Sequence, residues 1–211
     1  MNTVVEPPAL AGSARRSEGL RQWVHLGVGL FSLALRFLLE WQAITVAAAA
    51  IVFNLFVLPR LEVGKRIFRD REAILSGVRI YPIAVLFLVI FFDMPVAAGA
   101  WAVLAVGDSF SNFVGRAIGR AKLPWNAKKS WAGTIAFAVT AIPAAAFLLS
   151  WTAGPPISHA SVGGAGAVWT CAIVGGLVGA FVESLDLPID DNLTVSLTSG
   201  VAMMLVSRVV S

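Results

Sequence analysis

The chain has 211 residues, of which 58% are hydrophobic before its 19 glycines are counted, against about 45–50% with glycine included in a soluble protein. Charged residues make up 13%, net charge is +4 and mean hydropathy is +0.82. A soluble fold of this size could not hide so much apolar surface, and the single cysteine, Cys171, excludes a disulfide scaffold. In chain order, residues 1–20, with Pro7, Pro8, Gly12 and Ser13, read as a short disordered cytoplasmic tail without the charged start and apolar core of a signal peptide. Residues 21–211 read as one transmembrane domain. Seven apolar runs follow, at 23–39, 41–59, 77–92, 94–114, 131–150, 165–185 and 193–210. A bilayer span needs about 20 such residues, and none of the runs alternates like a barrel strand. The predicted fold is all-α, a polytopic bundle of about seven spans.

The basic residues orient it. All but Arg36 and Arg208 fall in three groups: Arg15, Arg16 and Arg21; Arg60, Lys65, Arg66, Arg69, Arg71 and Arg79; and Arg116, Arg120, Lys122, Lys128 and Lys129. In a seven-span chain all three groups share one side, so the positive-inside rule places the N-terminus in the cytoplasm. The expected membrane is a prokaryotic-type inner (plasma) membrane. The 60–79 segment reads as an interfacial helix or basic loop facing anionic lipids, with no need to invoke nucleic acid.

Charge at membrane depth is costly and marks function. Asp108 lies about 20 Å along the fourth run, roughly 10 Å below the cytoplasmic boundary. Asn112 and Gly115 follow on its helical face. Glu183 closes the sixth run, and Asp186, Asp190, Asp191 and Asn192 follow it. On this topology the acids share a compartment with the 122–134 loop, which carries Lys122, Asn126, Lys128, Lys129, Ser130 and Gly133. Lysines facing carboxylates suit a phosphate ligand with Mg²⁺, the lysines neutralising phosphate and the acids holding the metal. Ser130 is placed to cap the helix beginning at Trp131, whose N-terminus favours an anion, and Gly133 would admit close approach to the backbone. Gly115, Gly119, Gly175 and Gly179 have the four-residue spacing of helix packing. Cys171 reads as inert packing. The P-loop pattern is missing: Gly64-Lys65 is followed by Arg66.

The stretch from Gly107-Asp108 through Gly115-Arg116, Lys122, Asn126 and Lys128-Lys129-Ser130 to Gly133-Thr134 resembles the signature of the polyprenol kinases, the phytol and farnesol kinase branch above all. Glu183 to Thr194, with Asp190-Asp191-Asn192, is similar to that branch's C-terminal motif, and Arg21-Gln22-x-x-His25 to its opening. The resemblance implies a CTP-dependent, Mg²⁺-requiring kinase of an isoprenoid alcohol (phytol, farnesol, geranylgeraniol or a longer polyprenol). It implies Asp108, Lys128 and Glu183 as catalytic, with Asp108, Glu183, Asp190 and Asp191 toward metal. Asn112, Gly115, Arg116, Lys122, Asn126, Lys129, Ser130, Gly133 and Asn192 would hold nucleotide. The chain departs from the pattern at Asn112, an aspartate in many phytol kinases, and at Gln22, usually lysine. CDP-diacylglycerol synthases carry a related segment, so lipid cytidylyl transfer is the enzymatic alternative and a transporter or scaffold the non-enzymatic one.

Overall fold

The computed structural model describes residue 19, residues 22–62 and residues 77–210. The tail, Arg15, Arg16, Arg21, Lys65, Arg66, Arg69 and Arg71 lie outside these. The apolar runs fold as seven helices. Helix α1 covers 22–37, its last eight residues, Leu30–Phe37, wound more tightly as 3-10 helix. Then come α2 (Glu40–Arg60), α3 (Tyr81–Phe91), α4 (Met94–Ile118), α5 (Trp131–Ala153), α6 (Ala165–Ser184) and α7 (Asp191–Val210). Pro82 and Pro95 sit in the first turns of α3 and α4, where a missing N–H costs nothing. Among the described residues five helices, α2 and α4 to α7, are long and apolar enough to cross a membrane. At 11 residues α3 is about 16 Å long, short of the roughly 30 Å of hydrocarbon.

Helix α4 runs through the middle, and every residue from Met94 to Ala105 is buried. It packs on α5, α6 and α7 through small residues, as the glycine spacing in α6 predicts. A Cβ on Gly107 would lie 2.6 Å from the Phe137 ring of α5, and one on Gly179 would lie 2.7 Å from both Val103 and Ser199. Cys171 is buried in the core, at the packing position expected of it. The outward positions carry Phe31, Phe56, Val139, Leu177 and Val209. Apolar side chains facing outward are what a lipid-facing surface requires.

Between α4 and α5 the 122–134 loop is more ordered than the sequence predicts. Strands β1 (Lys122–Leu123) and β2 (Asn126–Ser130) pair antiparallel, with Lys122 opposite Ser130 and Leu123 opposite Asn126. This hairpin closes one end of the bundle, where α4 and α6 finish and α5 and α7 begin. At the other end Arg36 of α1 stacks its guanidinium 4.0 Å from the Trp151 ring and donates to the Pro155 carbonyl.

Candidate active site at the hairpin end

A local irregularity aims Asp108. From Val103 to Asp108, α4 winds as a wider π turn, a feature often found at functional sites. Asp108 ends that turn, largely buried. Asn112, one turn on, donates from Nδ2 to its carbonyl at 2.9 Å and to its Oδ1 at 3.0 Å. His25 of α1 brings Nε2 to 4.0 Å from Asp108 Oδ2 and stands edge-on to Tyr81, whose hydroxyl accepts from Trp101.

Glu183, on the last turn of α6, is 1% exposed. Its Oε1 accepts from Ser111 Oγ at 2.9 Å and from Lys129 Nζ at 2.5 Å, whereas Oε2 is buried without a hydrogen-bond partner among the described residues. A buried carboxylate persists only when donors or a cation compensate its lost hydration, so half of this one is satisfied. Lys129 also reaches Asp191 Oδ2 at 3.4 Å. Burial by itself would lower the pKa of the Lys129 ammonium, but Glu183 and Asp191 beside it hold it above the ordinary lysine value.

Strand geometry separates the two lysines. Successive side chains of a strand point to opposite faces. Lys129 therefore turns in to Glu183, while Lys128 turns out, 76% exposed, and pairs with Asp186 at 2.9 Å. The hairpin is tied to the end of α6: Asn126 Nδ2 donates to the Ser184 carbonyl at 3.1 Å and Trp125 Nε1 to Ser184 Oγ at 3.1 Å. Ser130 caps α5 as predicted, its Oγ accepting from Gly133 N–H at 3.2 Å. A Cβ on Gly133 would lie 3.0 Å from the Ser111 carbonyl. That glycine lets α4 and α5 approach closely enough to bring Ser111 to Glu183.

The Asp190-Asp191-Asn192 run divides its work. Asp190 Oδ2 accepts from Gly77 N–H at 2.7 Å, and its Oδ1 accepts from the Asn192 N–H at 3.0 Å and from Asn192 Nδ2 at 2.7 Å. Asn192 Nδ2 also donates to the Gly77 carbonyl at 3.2 Å. These two side chains clamp the start of α7 to the entry of α3, and Asp191 between them points to Lys129.

A cleft of about 490 Å³ opens beside this cluster, lined by Asn112, Gly115, Arg116, Lys122, Lys128, Lys129, Ser130, Gly133, Thr134 and Glu183 among others. Most of the sequence-predicted site residues are thus on one wall. Asp108, Asn126, Asp190, Asp191 and Asn192 lie outside it, although Asn126, Asp190 and Asp191 line a second cleft of about 510 Å³ shared with Lys128 and Lys129. Among the described residues no three acids, histidines or cysteines are gathered as a ready-made metal cage. A Mg²⁺ ion is usually held by one or two carboxylates plus substrate phosphates and water, and does not require such a cage. The unpartnered Glu183 Oε2 supplies an oxygen of the required kind. Sequence reasoning missed Ser111, although it stands three residues after Asp108 and so near the same helical face.

No protein-family profile and no solved structure matches the chain. Curated relatives do. It is 29% identical over 204 residues to a chloroplastic farnesol kinase of Arabidopsis thaliana, an alignment covering 87% of this chain and 64% of that one. Against a probable phytol kinase 2, chloroplastic, of Glycine max it is 34% identical over 169 residues, covering 75% of this chain and 56% of the relative. Against phytol kinase 1, chloroplastic, of Arabidopsis thaliana the figures are 28% over 165 residues, 74% and 52%. The chain thus spans less than two thirds of the length of each. All three are chloroplastic by name, and so lend the expected prokaryotic-type inner membrane no support. With the signature of α4 and the hairpin at one end of a helical bundle, the chain is a homologue of the farnesol and phytol kinases, which supports the polyprenol kinase branch.

Proposed function

We propose that the protein is a membrane-embedded kinase that transfers the γ-phosphate of CTP, with Mg²⁺, to the hydroxyl of an isoprenoid alcohol. The observation that carries this is Glu183: a fully buried carboxylate at the wall of a basic cleft, fixed on one oxygen by Ser111 and Lys129 and, among the described residues, without a hydrogen-bond partner on the other. Relatives named for farnesol and phytol kinases supply the substrate class, and CTP rests on the resemblance of the signature.

The chain's residues divide the task in the following way. Glu183 and Asp191, which share Lys129, would hold the metal. The chemistry such an ion would supply is positive charge against the phosphates during transfer. Lys129, with Arg116 and Lys122 along the cleft, neutralises the phosphates. The N–H groups of the first turn of α5, ordered by Ser130, face the same anion. The alcohol enters sideways from the bilayer and its oxygen attacks the γ-phosphorus. The bond to the bridging oxygen breaks and CDP leaves with it. Asp108 accepts the hydroxyl proton, and Asn112 and His25 fix the carboxylate that does so. The hairpin end faces the cytoplasm, where the nucleotide is.

The test is purified protein in detergent with γ-labelled CTP or ATP and a panel of prenols, followed by lipid extraction. Label in a prenyl monophosphate, with CDP released, is the expected result. Pyrophosphate release with a cytidylylated lipid would replace the kinase reading by cytidylyl transfer. No lipid-dependent nucleotide use would remove both.

A further inference from the structure

Glu183 is enclosed by protein on every side but the cleft, and a carboxylate there needs positive charge beside it. Lys129 supplies that charge and extends it to Asp191. Yet a divalent cation bound between the same two acids would want the same oxygens. Two cations cannot share that space without strong repulsion.

We propose that Lys129 is the internal counter-cation of the site: in the ligand-free protein its ammonium takes the position between Glu183 and Asp191 that a divalent cation needs, and it moves to the nucleotide's phosphates when that cation binds. The inference rests on reading the cleft as a cation–nucleotide site. Three features support it. Among the described residues Glu183 Oε2 is buried without a hydrogen-bond partner, so a ligand oxygen waits beside the ammonium. The lysine stem is flexible, while the strand beneath it is fixed through Asn126 to Ser184, so the ammonium swings without backbone movement. The cleft that Lys129 lines is the one into which Ser130 and Gly133 present the start of α5, so the displaced charge stays where phosphate arrives. Lys128 cannot take this part, because its ammonium is turned outward to Asp186. Cation and nucleotide would then bind with positive coupling, each favouring the displacement that admits the other.

The experiment is titration of the purified, nucleotide-free full chain with Mn²⁺, followed by electron paramagnetic resonance, in the wild type, Lys129→Gln, Lys129→Arg and Glu183→Gln. Lys129→Gln is expected to bind Mn²⁺ about tenfold or more tightly than the wild type, since the opposing charge is gone. Lys129→Arg keeps the charge and should bind as weakly as the wild type, and Glu183→Gln should lose the site. Should Lys129→Gln fail to fold, the unaltered protein gives the answer by mass spectrometry. Acylation of Lys129 should rise severalfold when Mn²⁺ alone is added. Equal or weaker Mn²⁺ binding by folded Lys129→Gln, or Lys129 labelling indifferent to Mn²⁺, would overturn the proposal. Neither readout involves a lipid alcohol, so failure of the kinase reading and failure of this one are separately visible.

Discussion

The two ends of the bundle use charge in opposite ways. At the far end Arg36 is held by neutral groups, the face of Trp151 and the carbonyl of Pro155, while Trp151 donates from Nε1 to the Leu33 carbonyl and His159 Nε2 meets the Leu35 carbonyl at 3.2 Å. Arg36, Trp151 and His159 each have a neutral partner that needs nothing further, so this set of contacts is closed. At the hairpin end acids and lysines pair with one another, and among the described residues Glu183 keeps a buried oxygen without a donor. A closed arrangement stabilises a fold, and an open one holds charge ready for a ligand. The contrast assigns stability to one end and chemistry to the other.

Four substitutions test that division, in order of expected effect. Asp108→Asn should lower kcat about a thousandfold while leaving thermal unfolding near the wild-type temperature, because it removes a charge and proton acceptor and keeps the shape. Near-wild-type turnover would break the assignment. Asp190→Ala removes three hydrogen bonds that seat α7 and should cost about 1–3 kcal/mol in stability and roughly tenfold in activity. If Asp190 only seats the helix, the Mg²⁺ concentration for half-maximal rate stays unchanged, and a large rise in it would make Asp190 a ligand instead. Arg36→Ala should lower stability by about 1–2 kcal/mol through loss of the cation–π contact and its hydrogen bond, with kcat unchanged at a temperature where the variant is folded. A kcat loss there would join the two ends mechanically. Lys128→Ala should change kcat by less than about threefold, since exposed ion pairs contribute little. A loss matching that of Lys129→Ala would show that the strand's inward and outward faces are not what separates the lysines.

The helices were legible because long apolar runs bounded by charge have few other uses, and the capping role of Ser130 could be read from its place before Trp131. The hairpin was not legible: a two-residue strand containing Lys122 has no periodicity to detect. Lys128 and Lys129 are indistinguishable as neighbours in sequence, and only an extended backbone separates them. The acceptors of Asp190 are visible in the sequence and suggest a metal ligand, but its partner Gly77 N–H, 113 positions away, is not. Ser111 escaped notice for a related reason. A serine within an apolar helix bonds its own backbone as a rule, and its bond to Glu183 depends on the close approach that Gly133 allows.

The wide turn from Val103 to Asp108 divides α4 into two rotational phases. Upstream, Gly99 is registered against Leu149 and Met203, and downstream Asp108, Ser111 and Asn112 are aimed as a group. Deleting one residue within that turn would restore regular winding and rotate the downstream half by about 100°. Ser111 and Asn112 would leave the cleft and Asp108 its place beside His25, while the upstream half kept its neighbours. The length of this short stretch of backbone, as much as any side chain in it, determines where the polar half of the helix points.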